Sequence, residues 1–214
     1  MKSVDDMLIT PKMTVRQLVE QMGRAGALGA GRLARATDVV YEMFNDPDYF
    51  VCLTMAGPMT PGGLRRLISD LVDRGYVNAI VSNGANIVHD MISALGFKHM
   101  TETALANDLT LRRRGLGRIG DILIDQKAFE TLEKTVHKIL ESLDESGRRS
   151  IPTFELLQAI GERLNDPNSV LRTAAIRGAP IFCPGLLDSM IGLHMWTFSQ
   201  LKGLALDPIK DLHR

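Results

Sequence analysis

The feature that most constrains this fold is an alternation of short apolar segments with amphipathic helices. Residues 50–55 and 78–82 are apolar and bounded by turn residues, which is typical of buried parallel strands. A helix is predicted between them, with Thr60 as its N-cap, Pro61 at its first position and Gly75 at its end. Further strands are predicted at 119–124 and 180–183, followed by helices over 126–143 and 185–201. The alternation predicts an α/β fold with helices on both faces of the sheet.

The segment before the first strand is predicted to be a helical hairpin. Thr14 and Gln17 have the spacing of a capping box, and glycines at 26, 29 and 31 interrupt the helical pattern. We expect one domain over 1–214, made of an N-terminal helical segment (1–46) and an α/β portion (47–214). A last helix is predicted after Asp207, so the α/β portion is expected to be incomplete at its C-terminus.

Composition argues against two classes of partner. The 214 residues contain 25 basic and 25 acidic side chains, so no net charge attracts nucleic acid or an anionic membrane. The sequence lacks a run of about 18 apolar residues and a signal-peptide pattern at its start. We therefore expect a cytoplasmic protein that binds neither nucleic acid nor membrane.

The cysteines and histidines show no pattern of a redox or metal centre. Cys52 and Cys183 both lie in apolar, strand-like runs, so they are predicted to be buried thiols rather than a disulfide. The five histidines have no paired metal-ligand spacing, and no metal is predicted.

Three loops follow predicted strands, where open parallel sheets bind ligands. Loop 1 (56–63) is rich in small residues and runs into a helix N-terminus. This pattern is typical of a phosphate-binding loop and equally of a tight strand-to-helix turn without a ligand. Loop 2 (82–86) is small and polar, which suits a ribose or pyrophosphate, and is followed by His89 and Asp90. Loop 3 (184–194) contains Asp188, an isolated carboxylate that would suit a ribose hydroxyl, or would cap a helix or face solvent. His89 and His194 are alternatively packing residues.

Four ordered motifs carry a family resemblance. They are LTMAGPMTPGGLR at 53–65, VSNGAN at 81–86 with His89 and Asp90, RIGD at 118–121, and PIFCP at 180–184 with Asp188 and Gly192. Through them the chain resembles deoxyhypusine synthases, particularly archaeal and bacterial ones, over essentially its whole length. The resemblance implies a Rossmann-like, mostly parallel sheet and an enzyme that uses NAD. That enzyme moves the aminobutyl group of spermidine through a lysine imine to a lysine of a translation initiation factor precursor, with active sites between subunits of a tetramer.

Carried over by position, the resemblance assigns two sets of residues. NAD is expected to contact Gly57, Pro58, Met59, Thr60, Pro61, Asn83, Gly84, Ala85 and Asp188. The amine is expected near Val88, His89 and Leu193, which stand where the family has an acidic pair and a second carboxylate. Loss of carboxylates removes charge-assisted hydrogen bonds to a polyamine, so the substrate is expected to be spermidine or a related amine.

The resemblance also implies a catalytic lysine in a segment that follows position 214 in the family. No lysine of this chain stands in such a context, so no catalytic residue is assigned, and activity is expected to depend on a complementing C-terminal chain in a homo- or hetero-oligomer. Two alternatives remain open. The chain could be a non-catalytic, regulatory subunit of a deoxyhypusine synthase complex, or part of a homospermidine-synthase-like or agmatine-using enzyme.

Overall fold

The computed structural model describes residues 3–102, 107–145, 147 and 149–214, and the chain divides into two compact units, Met1–Val51 and Cys52–Arg214. The first unit contains α1 (Val15–Ala25) and α2 (Leu28–Asn45). Both hydrogen bonds of the predicted capping box between Thr14 and Gln17 are formed. Gly26 ends α1 with a φ of 65°. The predicted helical hairpin is therefore confirmed.

The elements of the second unit are, in chain order, β1 (Cys52–Met55), α3 (Arg65–Asp73), β2 (Ala79–Ser82), α4 (Gly84–Ala94), β3 (Met100–Thr101), α5 (Asp108–Arg113), β4 (Leu116–Ile119), β5 (Ile122–Asp125), α6 (Lys127–Asp144), β6 (Ser150–Ile151), α7 (Thr153–Glu162), α8 (Val170–Arg177), β7 (Ile181–Phe182), α9 (Met190–Lys202) and β8 (Ala205–Leu206).

The central sheet is parallel and has the strand order β1-β2-β7. Strand β2 lies in the middle and is the most buried of the three, with Ile80 fully shielded from solvent. Helix α3 connects β1 to β2, which is the predicted βαβ unit, and its apolar side buries Ile68 and Val72. The predicted α/β fold is confirmed, and the strands predicted near 52, 79 and 181 are present.

The strand predicted over 119–124 is wrong. The chain instead forms a hairpin in which β4 pairs antiparallel with β5, and β5 also pairs with β3 in a sheet separate from the parallel one. Gly120 and Asp121 make the turn, and Gly120 adopts a φ of 62° that glycine reaches without strain. The apolar run on both sides of this turn conceals it in the sequence.

The start of the helix after β1 also differs from the prediction, because Thr60 is not its N-cap. Residues Thr60–Leu64 form a π-helical turn in which the Leu64 N–H donates to the Met59 carbonyl at 3.1 Å. Gly63 interrupts the turn with a φ of 95°, so regular α-helix begins only at Arg65. The helix ends before Gly75, as predicted.

The cysteines have different environments. Cys183 is buried as predicted, and burial raises the pKa of its thiol to about 12, so it stays protonated. Cys52 is exposed, contrary to the prediction, because it begins an edge strand whose first residues are not covered. Among the described helices, none has both the length and the apolar character needed to cross a membrane.

Candidate functional site

The three predicted loops meet at the carboxyl edge of the parallel sheet. Strands β1, β2 and β7 run in one direction, so the segments that follow them emerge at the same edge. Loops 1 and 2 are joined by a hydrogen bond from the Thr60 N–H to Asn86 Oδ1 at 3.0 Å. The same side chain thus fixes the entry of loop 1 into its helical turn.

Loop 2 is a strand-to-helix junction that forms the first turn of α4. The Asn83 side chain is the N-cap and accepts a hydrogen bond from the Asn86 N–H at 2.9 Å. A Cβ at Gly84 would lie 2.4 Å from the Cβ of Ser189, closer than two carbons can approach. Glycine is therefore required at 84 because loop 3 packs directly on the backbone there.

Loop 3 consists of a short 3-10 turn, Leu186–Asp188, followed by the first turn of α9. Ser189 caps α9: its hydroxyl accepts from the Gly192 N–H at 3.2 Å and donates to the Leu186 carbonyl at 2.6 Å. A Cβ at Gly192 would lie 2.2 Å from that same carbonyl oxygen. The short Ser189 side chain of loop 3 thus packs directly on the backbone of loop 2 at Gly84, and a second close approach, at Gly192, holds loop 3 together internally.

Two buried polar atoms at this junction have no hydrogen-bond partner among the residues that the structure describes. They are Thr60 Oγ1 and Asn86 Nδ2, on the two residues that join loops 1 and 2. An unsatisfied buried polar group costs about 1–3 kcal/mol, so native proteins retain few without a reason. A ligand rich in hydroxyl and phosphate oxygens would supply the missing partners, and the N-terminus of α4 favours an anion. The residues present therefore fit a dinucleotide.

The residues predicted to contact NAD all lie in this three-loop region and differ in exposure. Gly57, Pro58, Ala85 and Asp188 are exposed, Met59 and Asn83 are half-buried, and Thr60, Pro61 and Gly84 are buried. Asp188 faces solvent, which agrees with one of the alternatives that the sequence left open. Its role as a ligand contact stays a prediction.

The three residues predicted to contact the amine do not share one surface. Val88 and His89 lie on α4 and are 3% and 6% exposed, whereas Leu193 on α9 is 50% exposed. His89 Nδ1 lies 2.9 Å from His99 Nε2, and the His89 ring meets Phe129 edge-on. Burial, and secondarily the His99 ring, lower the pKa of His89 to about 4, so the imidazole is neutral at neutral pH.

Asp90 is a buried carboxylate whose role the sequence did not reveal. It is 1% exposed and receives hydrogen bonds from Arg65 Nε at 2.6 Å and from the Ser169 hydroxyl at 2.8 Å. The N–H groups of Val170 and Leu171 at the start of α8 also donate to it. Asp90 therefore ties α4 to α3 and to the N-terminus of α8, and its oxygens are occupied within the protein.

Arg65 extends this network to Asp166, which lies in the segment before α8. Its Nη1 lies 2.7 Å from Asp166 Oδ2, and Arg65 lies two residues after the end of loop 1. The partners are far apart in sequence, so no local pattern could indicate the network. Because Arg65 bonds two carboxylates, the end of loop 1 is anchored to the core.

A parallel sheet with glycine-containing loops joined at its carboxyl edge defines an α/β protein with a ligand site of the open-sheet type. The family model described as Deoxyhypusine synthase matches residues 17–214. The chain belongs to the deoxyhypusine synthase family.

Relatives from archaea and bacteria agree with this membership. The chain is 42% identical to a probable deoxyhypusine synthase of Methanothermobacter thermautotrophicus, over 99% of this chain and 68% of that protein. It is 42% identical to a probable deoxyhypusine synthase of Methanopyrus kandleri, over 94% of this chain and 64% of that protein. A deoxyhypusine synthase-like protein of Chlorobaculum parvum is 36% identical over 94% of this chain and 58% of its own length. The chain thus spans 58–68% of the length of these relatives.

The fold is shared with a crystal structure of an Entamoeba histolytica protein assigned as a deoxyhypusine synthase. The two superpose with a TM-score of 0.69 and 21% sequence identity, over 94% of this chain and 70% of the other. At that identity the similarity concerns the fold alone.

Proposed function

We propose that this chain forms the NAD-binding portion of a transferase that moves the aminobutyl group of spermidine to a lysine of a translation initiation factor precursor. Family membership supports the reaction class. The observation that carries the cofactor assignment is the unfilled hydrogen-bonding capacity of Thr60 Oγ1 and Asn86 Nδ2 where loops 1 and 2 meet. When bound, NAD would accept the hydride released as the amine donor is oxidised.

The chain's own groups would divide the binding of NAD among the three loops. Loops 1 and 2 offer small residues and the N-terminus of α4, which suit the pyrophosphate. Loop 3 offers the exposed Asp188 carboxylate, which can accept hydrogen bonds from ribose hydroxyls. Met59, which is half-buried, would supply apolar surface beside these polar groups.

We also propose that the lysine which carries the aminobutyl group lies outside these 214 residues. Lys210 donates to Ser150 at 2.6 Å and pairs with Asp207 at 3.6 Å, on the side of the molecule where β6 pairs with β8. Lys202 is exposed at the end of α9. Neither ammonium group is held in the three-loop region, so neither is positioned as an activated nucleophile there. A complementing segment and assembly into a tetramer-like oligomer in the cytoplasm complete the proposal.

Binding of NAD to the full chain tests the cofactor assignment. Asp188→Ala should weaken binding about 10-fold or more, because a hydrogen bond to a charged group contributes roughly 1.5–3 kcal/mol. Asp38→Ala, which removes an exposed carboxylate from α2, should bind as the parent does. Isothermal titration calorimetry measures the NAD affinity of the parent chain and of the two variants. An Asp188→Ala variant with parental affinity would refute the role given to this carboxylate.

The residues predicted to contact the amine favour a second candidate, a related enzyme that acts on another amine. Val88 and His89 are buried and uncharged at neutral pH, and Leu193 is apolar, so none of them supplies a carboxylate to a polycation. The chain should be mixed with a polypeptide bearing the lysine segment, NAD, the factor precursor and labelled spermidine, agmatine or putrescine. Label on the factor from spermidine supports the first candidate. Transfer from agmatine or to putrescine supports the second, and NAD binding without any transfer supports a regulatory subunit.

A further inference from the structure

A cluster of three potential metal ligands lies between α6 and α9, outside the three-loop region. Glu133 and His137 are four residues apart on α6 and therefore share one face of that helix. His194 is on α9, which packs against α6. The carboxylate oxygen and the two ring nitrogens lie within 4.8 Å of one another.

The buried member of this cluster, His194, has a ring nitrogen without a hydrogen-bond partner in the described part of the chain. His194 is 7% exposed, and its Nε2 has no hydrogen-bond partner within the part of the chain that the structure describes. Its ring centroid is 5.6 Å from that of His137, with the planes inclined by 67°. The two rings thus contact each other without satisfying the nitrogen. The His89 and His99 rings differ, because their nitrogens bond each other at 2.9 Å.

We propose that Glu133, His137 and His194 bind one divalent transition-metal ion, for which Zn²⁺ is the best match. Two imidazoles and a carboxylate are a ligand set that Zn²⁺ accepts, and water would complete a tetrahedron. Ligand atoms around Zn²⁺ lie roughly 3.3 Å apart, given bond lengths of about 2.0–2.2 Å. Glu133 is exposed and His137 is half-buried, so their side chains are the ones that would have to move to bring the three ligand atoms to that distance.

The graded exposure of the three ligands gives the ion a path into the site. Glu133 is exposed, His137 is half-buried and His194 is buried, so an ion can be captured at the surface and passed inward. The bound ion would link α6 to α9. Since the first turn of α9 belongs to loop 3, the link would fix the helix that carries that loop.

Metal binding to the full chain tests the proposal directly. After treatment with a chelator, the protein is titrated with Zn²⁺ against a chromophoric competitor, and one equivalent per chain should bind. His137→Ala and Glu133→Gln should each weaken binding, His137→Ala by more than the roughly 10- to 100-fold that loss of an outer-shell partner costs. Both residues are at least partly exposed, so these variants should keep the parental circular dichroism without metal.

Two matched controls distinguish this site from surface binding. Glu130→Gln removes an exposed carboxylate from the preceding turn of α6, and His213→Ala removes an exposed imidazole elsewhere. Both should bind Zn²⁺ as the parent does. Co²⁺ should give the intense visible absorption of a tetrahedral centre in the parent and controls but not in His137→Ala. Failure of the parent to bind one equivalent, or binding that survives both His137→Ala and Glu133→Gln, would overturn the proposal.

Discussion

At the scale of single residues, two buried groups of α4 have opposite electrostatic requirements. Asp90 is charged and surrounded by donors, including an arginine and the N-terminus of α8. His89, its neighbour in sequence, is neutral and packs against another ring. One helix therefore buries a carboxylate and an uncharged base side by side, and each should respond differently to mutation.

Removal of the Asp90 carboxylate should be strongly destabilising. Asp90→Ala leaves Arg65 partly buried without one partner and removes the acceptor of the Val170 and Leu171 N–H groups at the start of α8, so we expect a loss of about 3 kcal/mol. Urea unfolding followed by circular dichroism measures it. Asp70→Ala is the matched control, because Asp70 makes an exposed pair with Arg74 and should cost less than about 1 kcal/mol. Equal losses in the two variants would contradict the role given to Asp90.

His89 should make the fold less stable as the pH falls. Its pKa is about 4 in the fold and about 6.5 when unfolded, so the unfolded chain binds the proton more readily. The contribution of His89 is therefore full above about pH 6.5 and is lost toward pH 4. We expect a loss of about 2 kcal/mol between pH 7 and 4.5, after allowing for solvent screening.

The test compares the pH dependence of unfolding free energy in the parent and in His89→Gln, which cannot take up the proton. Between pH 7 and 4.5 the variant should lose about 2 kcal/mol less unfolding free energy than the parent does. A His89→Gln profile that parallels the parent would show that His89 titrates normally.

At the scale of elements, local patterns predicted the N-terminal hairpin, the helices that became α3, α6 and α9, and the parallel strands. The capping box at Thr14, the apolar segments that became β1, β2 and β7, and the glycine after α3 all depend on neighbours in sequence. The hairpin of β4 and β5 was missed because its two-residue turn lies inside an apolar run, which resembles one longer strand.

The candidate site was predicted only where it depends on residues that are neighbours in sequence. The ends of parallel strands can be located from sequence, and topology then brings the three loops together. The Asp90 network depends on Ser169 and Arg65, which approach only in the fold. The cluster around His194 was likewise hidden, although the spacing of Glu133 and His137 was a signal that could have drawn attention to α6.

At the scale of the whole molecule, the exposed apolar side of α9 predicts self-association. Leu193, Trp196 and Leu201 are 50%, 58% and 74% exposed on this helix, and strands β1 and β7 pair on one side only within the described residues. Large apolar side chains and open strand edges favour contact with another subunit. The full chain should therefore form a species larger than a monomer.

Native mass spectrometry of the full chain and of Trp196→Ser tests this expectation. The variant should shift toward smaller species, because a large aromatic side chain is a frequent anchor of interfaces. Ile176→Ser, on α8, is the control for loss of one exposed apolar residue. A parent chain that is a stable monomer would contradict the predicted assembly.

The contact between Gly84 and Ser189 has a thermodynamic consequence for any molecule that binds at the sheet edge. The Ser189 side chain of loop 3 already touches the backbone of loop 2, and Asn86 already holds loop 1. A ligand would therefore order little additional polypeptide, and the heat-capacity change of binding should match the apolar area that the ligand itself covers. Coupled folding would give a much larger negative value.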